Sequence, residues 1–276
     1  MSIIAIITKI TTQKKNKERY NIFLDDGKGE RYAFSVHESI IISHQLQKGK
    51  EIDELDIEEI GFADDVNRSF QQAIVFLSYR MRSTQEVIQN LKEKEYEDAI
   101  IQETIHKLRN INYLDDEAFA IAFVRTNSRV SLKGPVILKQ ELGQKGISAL
   151  EIETALSHYT EEDQLAFATK IAEKTLGKTT SASEKMQKQK VTETLIRKGF
   201  SREIITLAMN ELAPEKSEEE EWIAVCQTGA KAHRRYQKYK GREYEQKMKQ
   251  YLFQKRFQVD LIERFFDSEE YKELTN

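Results

Sequence analysis

Two hydrophobic rhythms divide this chain. Over residues 3–10 β-branched side chains dominate, and over residues 20–24 and 32–36 apolar and polar positions alternate, which predicts strands. Asp25, Asp26, Gly27 and Gly29 between the last two segments carry a hairpin signal. Residues 13–17, with three lysines, read as an exposed loop between the first two strands, and residues 38–47 as a short helix ending at Lys48 and Gly49. From about Gly61 onward the spacing changes to three and four, as in Val66, Phe70, Ala73, Ile74 and Leu77, which is one face of an α-helix.

A hexamer then recurs four times, in the form L-x-x-K-x-(aromatic or Ile): Leu91, Lys94 and Tyr96; Leu142, Lys145 and Ile147; Leu195, Lys198 and Phe200; Leu252, Lys255 and Phe257. After each hexamer the same apolar face returns, as Ile101, Thr104, Ile105 and Leu108, then Ile152, Ala155, Leu156 and Tyr159, then Ile205, Ala208, Met209 and Leu212, and in part as Ile262, Phe265 and Phe266. A period of about fifty residues holding three helical segments means tandem three-helix units, each too small to bury a core alone. The expected fold is therefore mainly α, an elongated, curved array of tandem three-helix repeats behind a small N-terminal β-rich segment. The expected boundaries are 1–60 for that segment and 61–112, 113–160, 161–213 and 214–276 for the four repeats.

The second repeat carries the clearest punctuation. Asp115 and Asp116 precede the apolar run Phe119, Ala122 and Phe123, where carboxylates cap free N–H groups and complement the helix dipole. Gly134 and Pro135 break and restart the chain, with Pro135 suited to a first helical position. Leu138 and Leu142 share a face, Gly146 provides a left-handed stop, and Ser148 caps the next helix. Gly199 and Ser201 do the same in the third repeat. Glu95 and Arg256 replace the glycine in the first and fourth, so those ends are expected to close differently. Each hexamer lysine falls at a helix C-terminus, where a cation offsets the dipole.

Composition narrows the chemistry. Charged residues make up 32% of the 276 positions and only two prolines occur, which suits long solvated helices. Cys226 is the only cysteine, which excludes an internal disulfide or a multi-cysteine zinc site. The apolar N-terminus is too short for a signal peptide and no run is long enough to span a membrane, so a soluble, cytoplasmic protein is expected. Gly177, Lys178 and Thr179 imitate the end of a phosphate-binding loop, but Ala172 stands where its first glycine belongs and no strand precedes it. Asp115, Asp116 and Glu117 point in different directions on a helix, and the five histidines show no ligand spacing, so caps explain the acids better than a metal does. No nucleophile, metal or cofactor site can be assembled; the chain is expected to be neither an enzyme nor a cofactor carrier.

The net charge of −3 places any nucleic-acid footprint in local segregation of charge. Arg125, Arg129, Lys133, Lys139 and Lys145 stand against Glu141 alone, with Arg125 and Arg129 four apart on one helix face. Farther on, Arg234, Arg235 and Lys238 belong to a basic stretch interleaved with Tyr236, Tyr239, Tyr244 and Tyr251. Cations with stackable rings suit a nucleic acid or a nucleoprotein surface, and equally a solvated helix whose tyrosines pack inward. Tyr20, Phe23, Tyr32 and Phe34 pose the same choice on the sheet, where covering one face is the commoner role.

Asp115, Asp116, Phe119 and Ala120, followed by Gly134 and by the block Glu141, Leu142, Lys145, Gly146 and Ile147, resemble the RecX family of bacterial recombination regulators. Arg80, Arg82, Ser83 and Glu86 are similar to the family's R-x-R-S-x-x-E block, and residues 197–200 match more loosely. The N-terminal segment and the fourth repeat resemble the longer Gram-positive form, outside the short family core. The resemblance implies tandem three-helix repeats and a non-enzymatic partner of the RecA recombinase, acting on its filament on DNA. Family membership would entail restraint of filament growth, ATP hydrolysis and strand exchange in homologous recombination, DNA repair and the SOS response. The competing classes are a protein that binds single- or double-stranded DNA directly and a helical adaptor for another protein.

Overall fold

The computed structural model describes residues 4–212 and 217–275. Ile3, expected to open the first strand, and Pro214, expected near the start of the fourth repeat, lie outside the described residues. Strands β1 (Ala5–Thr12), β2 (Arg19–Asp25) and β3 (Arg31–His37) are joined by β4 (Glu51–Ile52) in an antiparallel sheet of order β3-β2-β1-β4. The β2–β3 turn closes because Asp25 Oδ1 accepts from the backbone N–H of Gly27 at 2.8 Å and of Gly29 at 3.0 Å. Ile7, Ile22, Leu24, Val36 and Ile52 are buried on one face, and Ile40 and Ile60 close the core over them.

Two expectations about this segment need correction. The short helix α1 spans Glu38–Ser43 and stops before residue 47, because Gln45 adopts a left-handed φ of 48° that turns Leu46 into the core. The long helix α2 (Glu54–Ser78) starts well before Gly61 and runs straight through the 60/61 boundary. Asp53 sets its start through a capping box with Asp56. Its first turns send Ile57 and Ile60 to the sheet, and its later ones send Ala73, Phe70 and Leu77 to the first helical repeat. Asp64 fastens the helix to the sheet: its buried carboxylate accepts from Arg19 at 2.8 Å and from the backbone N–H of His37 at 2.8 Å.

Beyond it the chain is helical. Helices α3 (Thr84–Glu93) and α4 (Asp98–Asn110) complete the first triplet; α5 (Asp116–Val130), α6 (Pro135–Gln144) and α7 (Ala149–Ser157) form the second; α8 (Glu161–Gly177), α9 (Glu184–Lys198) and α10 (Arg202–Leu212) the third. The fourth comprises α11 (Glu218–Tyr236), α12 (Gly241–Gln254) and α13 (Val259–Asp267), with a short α14 (Glu269–Thr275) added. The recurring apolar face is buried in every copy: Ile101, Leu108, Ile152, Ala155, Ile205, Ala208, Ile262 and Phe265 are all in the core. The chain gathers into two compact units, residues 1–119 with 145–147, and residues 120–144 with 148–276.

All four hexamers end alike. Gly146 (φ 76°) and Gly199 (φ 87°) are left-handed, as expected, but so are Glu95 (φ 62°) and Arg256 (φ 67°), against the expectation that those ends close differently. In the first, third and fourth a hydrogen bond runs back over the turn, from Tyr96 N to Leu91 O, Phe200 N to Leu195 O and Phe257 N to Leu252 O. That bond and the burial of the following ring outweigh a left-handed strain of about 1–2 kcal/mol for a residue with a Cβ.

Within the second unit the middle helices of successive repeats meet end to end. Gly134, ahead of α6, donates its N–H to Lys198 O at 2.7 Å, and Val136 donates to Gly199 O at 3.1 Å. Ser183, ahead of α9, donates its hydroxyl to Lys255 O at 2.6 Å. Each joint pairs the orphan N–H groups or cap of one helix start with the orphan carbonyls of another helix end. Gly134 is required because a Cβ there would sit 2.3 Å from Gly199 O, against backbone that cannot yield. A Gly134→Ala variant is expected to unfold at lower urea with a loss of about 1–3 kcal/mol, the usual range for overpacking; an unchanged midpoint would show that the joint opens without cost.

Candidate functional site

The same joint recurs in the first unit, and there it gathers the residues of the two most distinctive sequence blocks. Ser83 caps α3 by accepting from Glu86 N at 3.2 Å, and its hydroxyl donates to Lys145 O at 2.8 Å. Glu86 closes the capping box by accepting from Ser83 N at 3.1 Å. Its other carboxylate oxygen accepts from Arg80 at 2.8 Å and from Lys145 Nζ at 3.1 Å. Lys145 also lies 5.9 Å from the centre of the Phe119 ring. Gly146 is held beside Gln85, whose Cβ a side chain at 146 would meet at 2.6 Å. The hexamer lysine and the S-x-x-E block are thus two halves of one contact.

Electrostatics at Glu86 follow from these partners. Partial burial pushes its carboxyl up. The hydrogen bonds from Arg80, the Ser83 backbone and Lys145, with the Lys145 charge, outweigh that and bring it from an ordinary 4.5 to about 2. The aspartates before α5 divide their work. Asp115 caps its own helix, accepting from Ala118 N at 2.8 Å. Asp116, expected to do the same, reaches instead to the start of α3, where Oδ1 accepts from Thr84 N at 2.8 Å, with Arg109 3.8 Å from Oδ2. Glu221 on α11 repeats this for α9, accepting from Glu184 N at 3.1 Å. These carboxylates are caps, one of them local and two of them spanning a repeat joint.

The cations fall into two sets. Lys145 is only 26% exposed and committed to Glu86; Lys133 is likewise 26% exposed and held by both oxygens of Glu141, at 2.6 and 2.8 Å. The charge of Lys133 is therefore balanced locally, which a tally of signs along the chain does not reveal. Arg125 and Arg129 on α5, and Lys139 on α6, are exposed. Arg234 and Arg235 on α11 and Lys238 after it are exposed as well. Phe119 and Leu142 are core residues of the second repeat's machinery, and Glu141 is the counter-ion of Lys133.

The tyrosines of the fourth repeat mostly face its core. Tyr244 is buried and its hydroxyl is 2.8 Å from His233 Nδ1, and Tyr236, Tyr239 and Tyr251 are half-buried against the same cluster. Their accessible faces carry cations: Arg235 is 5.5 Å from the Tyr236 ring centre, Lys247 4.4 Å from Tyr239 and Lys255 5.3 Å from Tyr251. A free stacking platform is therefore absent among these four rings. On the sheet, Tyr32 is exposed and meets Phe23 edge-on at 6.0 Å. Arg80 and Glu86 are the joint residues that charge and spacing alone passed over. The S-x-x-E signature announced the cap but not its partner in the next repeat. Among the described residues no helix is long and apolar enough to cross a membrane, and no group of three His, Cys, Asp or Glu residues could hold a metal ion.

Comparison with known proteins covers nearly the whole chain. The model of the regulatory protein RecX N-terminal domain matches residues 5–53, that of the RecX first three-helix domain residues 70–108, and that of the second residues 115–156. The model of the RecX third three-helix domain matches twice, at 161–209 and 218–266, so the fourth repeat is a second copy of the third. The chain is 46% identical over 265 residues to the regulatory protein RecX of Bacillus subtilis, covering 96% of this chain and 99% of that one. It is 47% identical over 261 residues to that of Bacillus licheniformis, covering 95% and 98%. A crystal structure of a regulatory protein RecX superimposes with a TM-score of 0.66 at 38% identity, over 75% of this chain and 99% of that one. RecX from Lactobacillus salivarius does so with 0.52 at 33% identity, over 54% and 97%.

The joint at Glu86 sets a pH dependence. Its carboxyl is lowered in the folded state, so its contribution is complete above about 4.5 and is lost as pH falls towards about 2. A Glu86→Gln variant is expected to be less stable at neutral pH by about 1 kcal/mol, since solvent partly screens the cluster. Its melting temperature should also fall less steeply than the parent's across that acid window. Parallel curves for the two proteins would rule out this role.

Proposed function

The chain belongs to the RecX family of regulatory proteins, and we propose that it is a negative modulator of the RecA recombinase, binding the RecA filament on DNA. The carrying observation is the division of its cations: Lys133 and Lys145 are spent on carboxylate partners, whereas Arg125, Arg129, Lys139, Arg234, Arg235 and Lys238 stand exposed, Arg235 and Lys238 beside tyrosine rings of their own repeat. Exposed guanidinium and ammonium groups on rigid helices present fixed charge to phosphate or carboxylate surfaces, and this arrangement suits a nucleoprotein filament that offers both. Contacts of modest strength from successive repeats add through effective concentration, so no single pocket is required. Restraint of growth and ATP turnover then follows from occupying the filament, with no catalytic residue supplied by this chain. Its place of action on this reading is the cytoplasm, in recombination and DNA repair.

Direct DNA binding is the second reading, because the same cations fit naked phosphate. It is weakened by the four tyrosines of the last repeat, which pack inward or lie under cations and leave little surface for stacked bases. The two separate by salt: a naked-DNA binder loses affinity steeply as salt rises and needs no RecA. An adaptor for some other protein would respond to neither.

RecA ATPase on single-stranded DNA, with this protein titrated in, is the decisive measurement. Inhibition is expected. The pair Arg125→Glu and Arg129→Glu should raise the amount needed for half-inhibition by about tenfold, equivalent to roughly 1.4 kcal/mol, while the thermal midpoint stays at the parent value. No inhibition at filament-saturating amounts defeats the RecA reading; full inhibition by a folded double variant defeats the assignment of those two arginines.

A further inference from the structure

The repeat joint has two halves, and the first and fourth repeats each carry one half without its mate. In the first three repeats the residue that opens the middle helix is buried against the next repeat: Ser83, Gly134 and Ser183 are all inaccessible. In the fourth the equivalent residue, Lys240, is exposed, and no side chain caps α12. The hexamer lysine shows the converse. Lys145, Lys198 and Lys255 are half-buried in their joints, whereas Lys94 in the first hexamer is exposed, as are Glu93, Glu95 and Glu97 around it.

The charges at these two places are opposite. At the first hexamer Lys92 and Asp98 neutralise each other at 3.0 Å, which leaves Glu93, Glu95 and Glu97 against Lys94. At the start of α12 Lys238, Lys240 and Arg242 are exposed together, while Glu243 is drawn to Lys247 at 3.6 Å. Terminal repeats need polar outer faces for solubility, and either sign serves that purpose. Opposite signs on two surfaces that are, by position, the two halves of one repeated contact add recognition to solubility.

We propose that this protein associates head to tail with a second copy of itself, the acidic first-hexamer end of one chain seating on the basic α12 start of the next. The contact repeats the internal joint, with the carbonyls after α3 facing the free N–H groups of α12, and carboxylates replacing the buried caps of the interior joints. It is heterologous, joining different surfaces of the two chains, so copies add head to tail. Its charged character makes it weak in high salt and stronger where copies are already concentrated side by side. This inference stands on the four-fold comparison within the chain and does not depend on RecA.

Sedimentation velocity of the full chain at low and high salt tests it. The parent should form species that grow past the dimer with concentration at low salt and revert to monomer at high salt. Two variants divide the contact: Glu93→Lys, Glu95→Lys and Glu97→Lys in one chain, and Lys240→Glu with Arg242→Glu in another. Each alone should remain monomeric. An equimolar mixture should again form species that grow past the dimer at low salt, because the native pair of ends and the charge-reversed pair are both complementary; that gain also shows both variants to be folded. A parent that stays monomeric at every concentration and salt, a variant that associates like the parent, or a mixture that stays monomeric would overturn the proposal.

Discussion

A short helix leaves unpaired N–H groups at its start and unpaired carbonyls at its end, and the fold depends on how this protein disposes of them. Middle helices of about three turns are too brief to be stable alone in water. The first three are instead fixed at their starts by a serine or a close glycine backbone, and all four end in a left-handed turn. At the joints these two solutions meet: Ser83 or Ser183 takes an N–H from its own helix and donates its hydroxyl to a lysine carbonyl of the following repeat. Gly134 makes the equivalent contact with its backbone, which only a residue without a Cβ could do at that separation. A single hydrogen-bonding requirement thus explains why serine, glycine and the hexamer lysine recur where they do.

The same requirement sorts charge into structural and surface classes. Glu86, Asp116 and Glu221 accept N–H groups across joints, and Lys145 and Lys198 direct their ammonium groups back to a carboxylate or to Ser131 O at 2.9 Å. Outside the joints stands a thinner set of exposed arginines and lysines on rigid helices. On the proposed reading, in which this regulator acts by occupying a surface, the separation matters. The charges that hold the repeats are shielded in small clusters, so the exposed ones can engage or release a partner without loosening the fold.

Much of this was legible in the residues. The recurring hexamer and the apolar face behind it marked three-helix units, because burying one stripe of a helix enforces its periodicity whatever the neighbours are. Capping serines and the Gly-Pro restart were readable because their stereochemistry is local. The ends at Glu95 and Arg256 were not, since a left-handed residue with a Cβ is tolerated only when the surrounding turn compensates it. Lys133 looked free because its counter-ion Glu141 lies eight positions on, too far for a helical pair to be inferred, and α2 looked shorter because its first turns serve the sheet. The two-residue strand β4 carries no signal of its own and exists only as a partner for β1.

By itself the sequence determined the first three strands, most of the helices, the repeat and the family, all of which rest on local stereochemistry or on periodic burial. Only the tertiary structure decided what each motif charge is for. Asp116 caps a helix of the preceding repeat, Lys145 and Glu86 meet although 59 positions separate them, and the tyrosines of the last repeat turn inward. The physical reason is common to these cases. A cap, an ion pair or a buried ring is defined by what lies opposite it, and in a repeat protein the opposite surface belongs to the neighbouring unit.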